Sequence, residues 1–203
     1  NDETSQGNNA LGNINITGSN LTSGTNAITS ATNGSNIIMN AAGNINIKSS
    51  VDSFNSRFAA RKVSSRTSST TNNKSNLIAG SNSSNGNIYI NTLNIDQNTG
   101  AISIPTSLAV KDISNDVNIV GSNLKAKENI AISAGNNITI ASAEDTFNSL
   151  STFKSKKRSS STEVRQTTQI TSDLTAQNGS IELNALGING GGDINVIASN
   201  LTS

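Results

Sequence analysis

Ten of the 14 Lys and Arg residues fall in two stretches, Arg57, Arg61, Lys62, Arg66 and Lys74 in one and Lys154, Lys156, Lys157, Arg158 and Arg165 in the other. Clustered cations attract polyanions such as sulfated glycans, anionic lipid or nucleic acid. The formal charge of the whole chain is only +1, so the attraction is local. Arg57, Arg61, Lys62, Arg66, Lys154, Lys156, Lys157 and Arg158 are therefore the candidate polyanion-binding residues, with no specific nucleic acid implied. A plainer reading is that these cations keep Ser-rich projections soluble and guard a strand edge against pairing between fibres.

Other chemistry finds less support. Hydrolysis of a glycan needs paired carboxylates at a set distance. The available pairs, Glu144 with Asp145 and Asp112 with Asp116, do not recur, so they read as solvated corner carboxylates and no catalytic residue is assigned. The run Gly190-Gly191-Gly192-Asp193 is one copy of a motif that holds calcium only when repeated in tandem, and it reads as a glycine corner. With no Cys and no His the chain lacks thiolate ligands and the commonest metal ligand and general base. No metal and no cofactor is expected.

The elements that must carry the cations are repeated. GNINITGSNLTS (Gly12 to Ser23), DVNIVGSNL (Asp116 to Leu124) and DINVIASNLTS (Asp193 to Ser203) are one phrase written three times. Apolar β-branched residues at every second position, with Gly, Asn and Ser at the ends, describe short strands with one buried face, separated by turns. Hydrophobic residues make up 33% and aromatics 2%, so small aliphatic side chains must fill the interior. Stacked coils suit this better than a globule does, because each coil repeats a thin layer. The expected fold is an all-β parallel β-helix, or β-solenoid.

A longer unit is visible too. Ile45 and Ile138, Phe54 and Phe147, and Ile88 and Ile181 are each separated by 93 positions. Within it a finer period of about twenty residues holds two or three strands, which predicts about six or seven rungs and a rod on the order of 30 Å long. The long units run approximately over 12–115 and 116–192, and a third begins at 193. Ten extra residues fall around Gly24 to Asn33, and about sixteen near Asp96 to Lys111 have no later counterpart; the single proline, Pro105, belongs at a corner or rung edge. The lack of an initiator Met and the last phrase, stopped midway, predict one solenoid segment over 1–203 cut from a longer array. No apolar run is long enough to span a membrane as a helix.

The strand alternation lapses twice, over 54–76 and 147–172, into FNSRFAARKVSSRTSSTTNNK and FNSLSTFKSKKRSSSTEVRQTTQ. Each begins with FNS, places a second phenylalanine soon after (Phe58, Phe153), passes through the Lys/Arg cluster and ends in Ser and Thr. Each is expected to be a hairpin or loop laid against the rod, its base pinned by the phenylalanines, with a short helical turn allowed by their spacing.

The GN-I-N/T-I phrase, the GSNL word and the strand block interrupted by a Phe-, Lys- and Ser/Thr-rich excursion resemble the hemagglutinin repeats of filamentous-hemagglutinin-type exoproteins. These are the large two-partner secretion proteins, among them adhesins, hemolysin relatives and contact-dependent growth inhibition effectors. The resemblance covers almost the whole chain. It implies a right-handed parallel β-helix on the surface of a Gram-negative bacterium, secreted through an outer-membrane TpsB-type transporter. The implied role is a shaft that displays adhesion or toxin functions to a host or neighbouring cell, and not an enzyme. Neither the NPNL-like word of the family's secretion domain nor its VENN word is present, which places the segment in the shaft interior.

Overall fold

The computed structural model describes residues 12–23, 35–41, 43–80, 85–92, 94–95, 102–103, 115–187 and 192–203. Every regular element among them is a strand. Each repeated phrase contributes its Ile-x-Ile core to one parallel sheet, formed by Ile14–Thr17 (β1), Ile45–Lys48 (β4), Val117–Val120 (β11), Ile138–Ala141 (β14) and Ile194–Ile197 (β19), stacked in that order. The following SNL word supplies a second parallel sheet, Asn20–Ser23 (β2), Asn76–Ala79 (β7), Asn123–Ala126 (β12), Asp173–Ala176 (β17) and Asn200–Thr202 (β20). A third contains Ile37–Asn40 (β3), Ile88–Asn91 (β8), Ile130–Ala134 (β13) and Ile181–Ala185 (β18). The chain visits the three sheets in turn, so a coil has three strands and each coil lies on the one before it.

Register puts like on like. Ile16, Ile47, Ile119, Ile140 and Val196 form one column, and Leu21, Leu77, Leu124, Leu174 and Leu201 another. The inward members of the middle coils, Ile47, Ile119, Ile140, Leu77 and Leu124 among them, are fully buried. Each such side chain contributes about 1.5–3 kcal/mol by leaving water, and a shift of one residue would turn the whole set outward. Among the described residues the first sheet is five strands deep, against the six or seven rungs expected. Four strands of 10, 11, 12 and 12 residues lie outside the coils.

Those four strands are the two excursions. Ser50–Ala59 (β5) pairs antiparallel with Val63–Asn73 (β6), and Ala143–Lys154 (β15) with Ser159–Ile170 (β16). Both pairs begin about four residues before the boundaries expected at Phe54 and Phe147, because Ser50 to Ser53 and Ala143 to Thr146 already belong to the ladder. No helical turn forms. β6 then pairs antiparallel with β15, so the sheet runs β5, β6, β15, β16. A coil is one strand thick and a hairpin two, both at about 4.8 Å per strand. Hairpins leaving alternate coils, after β4 and after β14, therefore tile along the rod without a gap.

Two further strands, Asn94–Ile95 (β9) and Ile102–Ser103 (β10), pair antiparallel. Residues 24–33 and Pro105, singled out by the repeat alignment, lie outside the described residues.

Candidate functional site

The hairpin sheet gathers the candidate cations into two groups. In the first hairpin Ala60 and Val63 exchange backbone hydrogen bonds, Ala60 N donating to Val63 O at 2.8 Å and Val63 N to Ala60 O at 3.3 Å, which leaves Arg61 and Lys62 as the two turn residues. In the second, Ser155 N donates to Arg158 O at 2.7 Å, leaving Lys156 and Lys157 at the turn. Ser155 Oγ accepts from Arg158 N at 3.0 Å and so ties the turn to itself. The two tips touch through Lys154 N, which donates to Lys62 O at 2.8 Å. Arg61, Lys62, Lys154, Lys156, Lys157 and Arg158, split between two clusters in the sequence, thus share one rim. Each is exposed.

Arg57 and Arg66 do not join the rim. They are paired across β5 and β6, on a sheet face that also carries Arg165, whose guanidinium lies 2.6 Å from Glu163. A shallow groove on this face is lined by Arg66, Leu150, Glu163 and Arg165. Neither of the two ion pairs among the described residues involves a rim cation. Like charges so close repel one another, and an incoming polyanion would relieve that repulsion.

The phenylalanines do not pin the base. Phe54, Phe58, Phe147 and Phe153 are all exposed, spaced along the outer part of the sheet. Polar contacts hold the base instead. Asp145 Oδ1 accepts Asn72 N at 2.6 Å and Asn72 Nδ2 at 3.1 Å; Ser49 Oγ donates to Asn72 Oδ1 at 2.8 Å; Asn73 Nδ2 donates to Asp52 Oδ2 at 2.7 Å. Because the hairpin projects from the rod, its phenylalanines have no core to enter. The carboxylates weighed for catalysis are similarly engaged. Glu144 Oε1 accepts Gln169 Nε2 at 2.8 Å, and Asp116 Oδ1 accepts Asn137 N at 2.9 Å. Asp112, Gly190 and Gly191 lie outside the described residues, and among those described no group of acidic side chains could hold a metal ion.

Ladders of asparagine were not foreseen. Asn46 Nδ2 donates to Asn15 Oδ1 at 2.9 Å and Asn118 Nδ2 to Asn46 Oδ1 at 3.1 Å, along the outside of the first sheet. On the second, Asn76 Nδ2 donates to Asn20 Oδ1 at 2.7 Å and Asn123 Nδ2 to Asn76 Oδ1 at 3.0 Å. An amide carries a donor and an acceptor, so identical side chains one coil apart satisfy each other indefinitely. The signal was present in the phrases themselves, where Asn recurs between the same two isoleucines.

That second ladder meets a carboxylate at Asp173, where an acceptor would face an acceptor. Lys74 resolves the conflict: its Nζ donates to Asn123 Oδ1 at 3.0 Å and to Asp173 Oδ2 at 2.7 Å. Burial pushes the Asp173 carboxyl up, but hydrogen bonds from Lys74, Asn200 and Thr171 and the Lys74 charge outweigh it and hold the group below its ordinary value of 3.8.

A family model described as hemagglutinin repeat matches residues 57–164, more than half of the chain. The matched span runs from inside β5 to inside β16, taking in most of the hairpin sheet and the two coils' worth of strands between. No curated protein and no solved structure matches the chain.

Proposed function

The chain belongs to the hemagglutinin repeat family, and on that premise we propose that it is a rigid shaft segment of a large exoprotein at the surface of a Gram-negative bacterium, giving length and display to adhesive or toxic parts of the same protein. The family is an adhesin-type structural family whose proteins are typically secreted and surface-associated. The observation that carries the reading is the in-register stacking of coil on coil, with every inward position of a coil repeated in the next. Such a stack transmits length without a separate globular centre. Export as an extended chain through an outer-membrane TpsB-type transporter suits a fold assembled coil by coil. Cysteine is absent, so no disulfide has to form on the way.

The rim favours a second, compatible reading. Six cations brought together from residues about ninety apart make a contact for heparin-like glycans or other cell-surface polyanions of a host or neighbouring cell, and many such rims along a fibre would multiply weak contacts. Heparin chromatography of the chain against a version with Lys154, Lys156, Lys157 and Arg158 all changed to Ser tests it. The substituted chain should elute at lower salt; equal elution salt would remove the contact role and leave the shaft role untouched.

A further inference from the structure

The hairpin sheet has two unlike faces. Register places Arg57, Arg66, Leu150, Glu163 and Arg165 on one side. The other side carries Phe54, Phe58, Val63, Phe147, Phe153 and Val164, with Ser and Thr between them. All four phenylalanines of the chain are here, exposed by 58%, 56%, 39% and 41% in chain order. In a chain so poor in aromatics, gathering every Phe onto one solvated sheet face runs against the hydrophobic effect unless something covers them. The only charged residues of the paired strands on this side are Asp52 and Asp145, both at the base beside the rod.

We propose that this aromatic face docks on the same face of a second copy of the chain, the two sheets laid face to face with tips pointing in opposite senses. Three features choose that occupant. Four strands about 4.8 Å apart and ten residues long, at about 3.4 Å per residue, give a flat footprint of roughly 650 Å², and side-chain relief brings this near the roughly 800 Å² per partner of a stable interface. Sheets pack face to face about 10 Å apart, which interleaved phenylalanines fill.

Charge then sets the direction. An overlay with tips together would place six rim cations against six. The opposite overlay brings the rim of each copy toward Asp52 and Asp145 of the other, twice over by the two-fold symmetry of an isologous dimer. It also sets the inner pair, Phe54 and Phe147, over the outer pair, Phe58 and Phe153, of the partner. Surface rods would be zipped laterally by their hairpins.

Sedimentation of the whole chain from micromolar to millimolar concentration tests this. A dimer is expected; Phe147→Ser should raise its dissociation constant about tenfold or more, and Phe54→Ser with Phe147→Ser should give a monomer, while Ile38→Ser, an exposed position on the rod, leaves the dimer intact. Added salt should weaken the unsubstituted dimer. Circular dichroism should be unchanged throughout, since no substituted side chain is in the core. A chain monomeric at every concentration, a dimer that survives the double substitution, or one lost equally with Ile38→Ser would overturn the proposal. So would a monomer whose binding to phosphatidylserine vesicles disappears in the double variant, which would assign the face to a lipid surface. Heparin elution should be compared at concentrations where both chains are monomeric, where the double variant should match the parent, so the result stands apart from the role of the rim.

Discussion

Coil and hairpin are built from the same pairing geometry and held by different forces. In the coils Ile45, Ile47, Ile119 and Ile140 are fully buried, and neighbouring strands run parallel because each coil repeats the direction of the last. In the hairpin sheet the large apolar side chains are solvated, the strands run antiparallel, and the interstrand contacts are backbone ladders with hydroxyl pairs such as Thr70 Oγ1 with Thr146 Oγ1 at 2.8 Å. The rod is ordered by burial. The hairpins are ordered by pairing with each other, on a base that the rod holds in place. If so, equal truncations should have unequal effects. Ile119→Ala opens a cavity in a column that cannot collapse, since the coils above and below fix its walls, and should cost about 2–5 kcal/mol. Phe54→Ala, measured at concentrations where the chain is monomeric, should cost about 1 kcal/mol or less, since more than half of the side chain already lies in water. Urea unfolding of the two variants side by side is the check, and equal losses would erase the distinction between the regions.

The second test addresses the corner where the two regions meet. Between the first and second strands of a coil the chain turns at Gly18, Gly121 and Ala198, with φ of 53°, 55° and 47°. Ala198 takes up the left-handed turn with a Cβ in place, so backbone conformation alone does not demand glycine there. Close approach does. A Cβ on Gly121 would stand 2.7 Å from the Cβ of Ala143, the first residue of the second hairpin, and one on Gly18 would stand 2.3 Å from Oγ of Ser50, the first of the other. The corner of a plain coil therefore serves as the seat for the hairpin that springs from its neighbour. Gly121→Ala should cost about 1–2 kcal/mol from the left-handed backbone, plus whatever shift of the hairpin base the contact forces. Proteolysis should consequently become faster in β15 and β16 than in the coils. A variant as stable and as resistant as the parent would mean that the hairpins do not rest on the corners.

The contrast also marks what the residues alone could convey. The coils were legible because period-2 isoleucines, the SNL word and Gly or Asn corners recur at a fixed offset, and stacking enforces that recurrence. The hairpins were legible as excursions but not in detail. Their two-residue turns are Arg61-Lys62 and Lys156-Lys157, with no residue at positive φ, so the Asn-Gly signature of a tight hairpin is missing. Their phenylalanines look like anchors on paper because large apolar residues are usually buried. Only the register across β6 and β15 shows that all four fall on one open face. The clusters around Arg61 and Lys156 were visible separately, but their meeting at a common rim depends on hairpins two coils apart standing two strands apart. That is a property of thickness, and it has no local signature in either cluster.

A last and smaller effect lies at the joint between the regions. Lys74 closes the first hairpin, immediately before the chain re-enters the rod, and reaches two coils along to Asp173. The Asp173 carboxyl is held below 3.8, so the folded chain binds its proton less readily than the unfolded chain does. Stability from the contact is therefore complete above that ordinary value and is lost as pH falls through the lower, folded value. The side chains are 26% and 33% exposed, and a contact so wet contributes less than about 1 kcal/mol. Asp173→Asn keeps the shape and removes the charge. The difference in urea midpoint between the chain and this variant should be present at neutral pH and shrink toward zero well below pH 3.8. The Lys74→Met variant should lose the share of that pH-dependent part which Lys74 supplies, with Asn200 and Thr171 still donating to the carboxylate. A difference that persists undiminished in acid would assign the residue to the asparagine ladder, through its bond from Asn200 Nδ2 at 2.8 Å, and leave the hairpin tied to the rod by neutral contacts alone.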